Sequence, residues 1–313
     1  MRKFLKFIFY TALVLFILLN IVIAFHAYKF THFYDGIADV KKPEQMSAYE
    51  KAGAIFFGTN YAKAKDTISA DSIFHNVVLK TDDGLKIHAW LVKLDSPGGT
   101  VILFHGLGGN KSTVLKQAYE FRYLGFNVMM VDLRAHGKSD GNVTTMGFRE
   151  GEDVKIAYEY ILKKGERNII LYGISLGSFV IAKAFYDYNI APSRIILEIP
   201  FSNIKKLIGV RGKMIGFPER PFDSFITFWA SIEQGFNAFN QDTYKYVRKI
   251  NCPVLMQCGE TDIFASPVER DLIFEKIASS EKKLVIYEHA VHQRLLDADP
   301  LKWRQEVTEF VSE

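Results

Sequence analysis

The sequence predicts an α/β protein: a mostly parallel, doubly wound sheet with a helical cap, preceded by one hydrophobic helix. Three observations predict it. Short apolar runs at 101–104, 126–131, 169–172 and 253–258 lack the polar alternation of a half-solvated strand, which marks strands covered on both faces. These runs alternate with longer segments of helical character, the pattern of strand–helix–strand units. The stretch from Asn168 to Ser178 passes from an apolar strand through Gly173-Ile174-Ser175-Leu176-Gly177 into a helix-competent run. It reads as strand, tight turn and helix, which holds a serine above the edge of a sheet.

The N-terminal helix comes first. Arg2, Lys3 and Lys6 precede residues 7–25, which carry no charge. At 1.5 Å per residue that run is about 28 Å long, close to the thickness of a bilayer core. A cleaved signal peptide has a shorter apolar region and a small-x-small site, and Ala24-Phe25-His26-Ala27 misses that spacing. The expectation is an uncleaved anchor over residues 1–30. Its basic flank puts the N-terminus on the cytoplasmic side and the rest of the chain on the other. Residues 31–72 read as a juxtamembrane linker with a short helix at 47–57. Tyr28, Phe30, Phe33 and Tyr34 suit an interfacial aromatic belt.

A globular domain is expected over residues 73–313. Residues 74–80 and 85–94 read as strands joined by Thr81-Asp82-Asp83-Gly84, a hairpin turn that starts the sheet antiparallel. A strand at 101–104 ends at His105-Gly106-Leu107-Gly108-Gly109. A helix follows from Ser112, its expected N-cap, to Leu124, where Gly125 stops it. Then come a strand at 126–131, a helix at 148–164, the strand and helix around Ser175, and a strand at 194–199. Alternation breaks over about 201–250, which holds no clear strand but many aromatics, among them Phe217, Phe222, Phe225, Phe228, Trp229 and Phe236. This segment is the expected cap. A strand at 253–258, a helix at 267–279, a strand at 283–287 and a helix at 301–312 complete the order.

Composition narrows the function classes. Of 313 residues, 49% are hydrophobic and 24% charged, enough for one large α/β domain. A formal charge of +4 over this length makes no case for nucleic acid as a partner. Cys252 and Cys258 flank one expected strand and lie about 20 Å apart along it, beyond disulfide reach.

A serine hydroxyl is a weak nucleophile and needs a base, which in turn needs an orienting carboxylate. Loops at the C-terminal ends of strands supply such groups in this architecture. Two later strand-end loops offer an acid and then a histidine. For the acid, Asp262 is preferred to Glu260 because its shorter side chain suits the Gly259-x-x-Asp262 spacing. For the base, His292 is preferred to His289 because it sits deeper in its loop. That second choice depends on geometry. The backbone N–H groups of Leu107 and Leu176 are the candidate oxyanion donors. No metal is expected: His289 and His292 are three apart with no third ligand type beside them. His105 reads as a brace for the glycine loop, and His26, His32, His75 and His88 as surface or interfacial residues.

Over about residues 73–313 the sequence resembles the α/β-hydrolase superfamily. The resemblance rests on His105-Gly106, Asp132-x-Arg134-x-His136-Gly137-x-Ser139-x-Gly141, Gly147-x-x-Glu150-x-x-Asp153, Gly173-x-Ser175-x-Gly177, Gly259-x-x-Asp262 and His292. It implies Ser175 as nucleophile, Asp262 as acid and His292 as base, with no cofactor. With a helix in front, the chain looks like the membrane-anchored branch that includes lysophospholipases, thioesterases and prolyl-oligopeptidase-like members. The implied activity is hydrolysis of a carboxylic ester, lipid esters and thioesters included, on a small-molecule or lipid acyl substrate. A serine peptidase and a non-catalytic binding protein of the same fold are the alternatives. The chain departs from the common pattern at Ser178, where many members have glycine, and at His289-Ala290-Val291-His292, a bulkier histidine loop.

Overall fold

The computed structural model describes the chain apart from residues 35, 37–45, 67–72, 215, 217 and 313. The expected cap residue Phe217 therefore lies outside the described residues, as does part of the linker. The chain opens with a 30-residue helix, α1 (Arg2–Thr31), then β1 (Phe33–Tyr34), α2 (Ala48–Phe57) and β2 (Tyr61–Ala62), with β1 and β2 paired in parallel. Ser47 caps α2 in a reciprocal pair with Glu50, which satisfies two orphan N–H groups at the helix start.

The hairpin β3 (His75–Lys80) and β4 (Lys86–Val92) starts the main sheet, followed by β5 (Thr100–Phe104), α3 (Leu115–Tyr123), β6 (Asn127–Val131), α4 (Gly151–Lys163), β7 (Ile169–Ile174), α5 (Leu176–Asp187) and β8 (Arg194–Glu198). The cap is built from α6 (Ile204–Met214), α7 (Glu219–Gln234) and the short α8 (Thr243–Tyr246). The chain then returns through β9 (Val254–Gly259), α9 (Pro267–Lys276), β10 (Lys282–Tyr287), α10 (Leu295–Ala298) and α11 (Pro300–Ser312). The sheet order is β10-β9-β8-β7-β5-β6-β4-β3, parallel except where β4 meets β6 and β3. This is the doubly wound sheet with an antiparallel start. Strands β5, β7 and β9 are buried along their whole length, which explains their unbroken apolar sequence. One core layer joins the sheet to α4, α5 and the cap; the other joins it to α3 and α11, where Trp303 is fully buried.

Three elements differ from the sequence expectation. The helix expected from Ser112 starts at Leu115: Asn110, not Ser112, is the cap, and it closes a 3-10 turn over Lys111–Val114. The helix expected from Phe148 starts at Gly151. The buried Glu150 carboxylate accepts from the Thr145 and Gly147 N–H groups (both 2.9 Å), which holds the preceding residues in a turn. The third is His26, expected as a surface or interfacial residue. It is buried, and its Nε2–H donates to the Ile55 carbonyl at 2.8 Å, tying α1 to α2.

Helix α1 has two halves. Residues 2–19 are exposed throughout, whereas Ile23, His26, Ala27 and Thr31 are buried against the domain. The buried half lies along α7. Trp229 donates its indole N–H to the Asn20 side chain at 3.2 Å, and Gln234 donates to Thr31 at 3.2 Å.

Candidate active site

The site lies at the C-terminal edge of the sheet, where the neighbouring strands β5, β7, β8, β9 and β10 end. The turn after β7 is forced by close packing. A Cβ on Gly173 would lie 2.3 Å from the Gly177 carbonyl carbon, and one on Gly177 would lie 2.2 Å from Phe104 O. Only glycine lets strand, helix and β5 come so near. Between them Ser175 adopts φ +53° and ψ −105°, a conformation rare outside glycine that costs about 1–3 kcal/mol. Its N–H donates to Glu198 O at 2.9 Å, fixing the turn to the end of β8. Ser178 has its own place here. Its hydroxyl lies 2.6 Å from Gly173 O and 2.9 Å from Glu198 O, so the departure from glycine adds a tie across the turn.

The side chains of Ser175, His292 and Asp262 form one hydrogen-bonded chain. Ser175 Oγ lies 2.8 Å from His292 Nε2, and His292 Nδ1 lies 2.7 Å from Asp262 Oδ2. Asp262 is buried, and its other oxygen accepts from the Phe264 N–H at 2.8 Å, which locks the carboxylate plane. His292 is partly exposed and packs its ring against Phe264, with centroids 4.4 Å apart. The two rejected candidates pair with each other instead: Glu260 accepts from the His289 N–H at 2.9 Å, and the His289 side chain points to solvent, 95% exposed. A cleft of about 310 Å³ opens over Ser175, bordered by Leu107, Ile199, Leu207, Phe264 and His292. That lies within the range of small-molecule pockets, about 300–1,000 Å³. Leu176 begins α5, so its N–H has no acceptor inside the helix. Among the described residues no group of three or more His, Cys, Asp and Glu side chains is arranged to hold a metal.

Other motif residues brace the site from beneath. The buried His105 ring bonds to Gly106 O at 2.8 Å through Nδ1 and accepts the Leu133 N–H at 3.1 Å through Nε2. Burial pushes its pKa down to about 4. Asp132 accepts from the Lys111 N–H and ammonium and from the Lys138 N–H, at 2.6 to 2.9 Å. Arg134 forks onto Asp153 through Nε and Nη2, at 2.9 and 2.7 Å. None of these side chains borders the cleft.

Glu198 is a residue the sequence reading missed. It ends β8 fully buried, and burial raises its pKa. Its carboxylate accepts from the Tyr172 hydroxyl, from Trp303 Nε1 at 3.0 Å and from the Leu295 N–H at 2.8 Å. Leu295 lies three residues after His292, so Glu198 pins the histidine loop to the strand beside Ser175. The available signal was an acid closing an otherwise apolar strand run.

A nucleophile-elbow turn between β7 and α5, with an acid and a histidine on the later strand ends, defines an α/β-hydrolase. The chain has the α/β-hydrolase fold. Residues 95–224 match the family described as serine aminopeptidase, S33. The chain is 26% identical over 239 residues to the uncharacterized protein YqkD of Bacillus subtilis, covering 75% of this chain and 78% of that one. It is 26% identical over 248 residues to protein bem46 of Schizosaccharomyces pombe, covering 77% of each. It is also 26% identical over 214 residues to the lysophosphatidylserine lipase ABHD12 of Danio rerio, covering 60% of this chain and 54% of that protein. Among solved structures, the Pyrococcus furiosus esterase Pf2001 superposes with a TM-score of 0.65 at 22% identity, over 81% of this chain and 98% of the esterase. That likeness is one of fold.

Proposed function

We propose that this chain is a membrane-anchored serine hydrolase that cleaves carboxylic esters, lipid esters and thioesters included, through an acyl-enzyme on Ser175. The observation that carries the reading is the unbroken chain from Ser175 Oγ through His292 to Asp262, at 2.8 and 2.7 Å, on the wall of an open cleft. His292 Nε2 takes the hydroxyl proton as Oγ attacks the carbonyl carbon. The developing oxyanion meets the N–H groups of Leu107 and Leu176, and loss of one such donor typically costs about 2.7–4 kcal/mol. His292 returns the proton to the leaving oxygen or sulfur, the acyl group stays on Oγ, and water activated by the same ring releases it as the acid. Asp262 holds the ring in the tautomer with Nε2 unprotonated and stabilises the imidazolium as it forms.

The anchor reading rests on α1, whose residues 7–25 are uncharged and whose residues 2–19 are all exposed. The cap supports it. Helix α7 turns Ile226, Thr227 and Ala230 inward, while Phe228 and Ile232 are exposed and Phe225 and Trp229 half-buried. Phe225 and Trp229 pack against the core, and Phe228 and Ile232 beside them leave an exposed apolar edge, as in helices that lie against lipid. The basic N-terminus sets the catalytic domain on the non-cytoplasmic side. In this reading residues 1–30 are the anchor, 31–72 the connection and 73–313 the catalytic domain, with its cap at about 201–250.

The match to a family described as serine aminopeptidase favours a second reading, a peptidase on the same triad. A fluorophosphonate probe and two substrates separate the readings. The detergent-solubilised full chain should label, Ser175→Ala should not, and short p-nitrophenyl esters should be cleaved where peptide amides are not. Cleavage of amides alone would select the peptidase, and a folded wild type that neither labels nor turns over any ester removes the hydrolase reading.

A further inference from the structure

A second cavity lies where the last turns of α1 meet β2 and the cap, bordered by Lys29, Phe30, Tyr61, Ile208, Arg211 and Ile226. Arg211 also borders the cleft over Ser175, so the two cavities share one guanidinium as a wall. Among the described residues no acid borders this cavity. Lys29 spends one proton on the Phe57 carbonyl at 2.6 Å and stands 4.7 Å over the Phe25 ring. Arg211 faces the rings of Phe30 and Tyr61 at 5.7 and 6.0 Å. Neither forms an ion pair among the described residues, although carboxylates are close along the cap. Those are committed elsewhere: Asp223 to Lys205 at 3.4 Å and Glu219 to Lys206 at 3.5 Å. Two cations therefore share a cavity walled by aromatic and aliphatic side chains, with no ion-pair partner among the described residues. Burial disfavours the charged form of Arg211. A guanidinium and an ammonium on the wall of one cavity suit phosphate oxygens.

We propose that Lys29 and Arg211 form a phosphate-binding site, which selects acyl esters with a phosphate headgroup for Ser175. The proposal rests on the hydrolase reading for its consequence and on the cavity for its chemistry. Lys29 lies four residues beyond Phe25, the end of the uncharged run, or about 6 Å further along the helix axis. With α1 across a bilayer, that is the level of lipid headgroups. A single-chain lipid rising there meets the two cations first, and Arg211 leads from them to the nucleophile.

The test uses the full chain in a neutral detergent. Hydrolysis of 1-oleoyl lysophosphatidate is compared with that of 1-oleoylglycerol, which has the same acyl chain and no charge. Wild type should prefer the phosphate ester, and Arg211→Met should lower the ratio of the two kcat/KM values by about tenfold or more, the scale of a lost charged hydrogen bond. Arg211→Lys should restore part of the ratio. Lys29→Met is the second variant, and fluorophosphonate labelling of each variant reports an intact nucleophile. A parallel arm measures the melting temperature in inorganic phosphate against chloride at equal ionic strength. Phosphate stabilisation that needs Lys29 and Arg211, without substrate preference, assigns the site to a free phosphate; preference assigns it to the headgroup. Equal ratios and no phosphate stabilisation in a wild type that labels would overturn the site while leaving the hydrolase intact. Absence of labelling would sink the hydrolase reading, and the phosphate arm would still decide the site.

Discussion

Two histidine–carboxylate clusters lie at the same edge of the sheet and use the same side chains in opposite ways. At the ends of β9 and β10, Asp262 meets His292 directly, and the second ring nitrogen reaches Ser175. At the ends of β5 and β6, Asp132, His105 and His136 are all buried, the two rings 5.0 Å apart, and no histidine there bonds to a carboxylate. His105 uses both ring nitrogens on backbone groups, and His136 donates Nδ1–H to Arg134 O at 2.8 Å. The aspartate beside them serves Lys111 and the loop. A histidine at a sheet edge can serve as a base only where one nitrogen is left facing the cleft. Where both are spent on the main chain it is a strut.

The largest effect that could break this contrast is loss of the proposed base. His292→Ala should lower kcat on an ester by about 10⁶-fold, the scale found when a triad histidine is removed. Its folding should be nearly unchanged, because the side chain is partly exposed and its neighbours are loop residues. Retention of a tenth of the activity would mean that another group serves as the base. The converse is His105→Leu. It leaves the buried Leu133 N–H without an acceptor, so urea denaturation should read a loss of about 1–3 kcal/mol. The folded fraction should still label with fluorophosphonate. Full stability with abolished labelling would turn the strut into a catalytic group and erase the distinction.

What the sequence disclosed follows the range of the forces involved. The alternation of apolar strands and helices is local, and the glycines at 173 and 177 record a close approach in two letters, so sheet and elbow were legible. The Ser175–His292–Asp262 contacts were reachable through the order of the strand ends, and the exposure of His289 is what separates the two histidines. Helix starts were misread where a side chain competes for backbone N–H groups, as Asn110 and Glu150 do. The four-residue α10 has too few positions to show a period. Contacts made only by folding left no local mark: Trp229 on Asn20, His26 on Ile55, and Glu198 on Leu295.

The smallest effect is the pH dependence of stability. Burial holds His105 at about 4, and burial followed by the neighbouring His105 also depresses His136. In the unfolded chain both titrate near 6.5. Below that pH the unfolded state takes up protons that the folded state refuses, so stability falls as pH drops from about 6.5 towards 4 and is unaffected by these groups above about 7. Each histidine adds up to about 1.4 kcal/mol per pH unit to that slope. Carboxylates contribute to the acid limb as well, but they are common to wild type and His105→Leu, so the difference between the two isolates the histidine. Urea midpoints measured from pH 7.5 to 4.5 should fall more steeply in wild type than in His105→Leu. Parallel curves would mean that His105 charges freely in the folded protein. The contrast between a neutral, buried strut and a partly exposed proposed base would then have to be drawn from position alone.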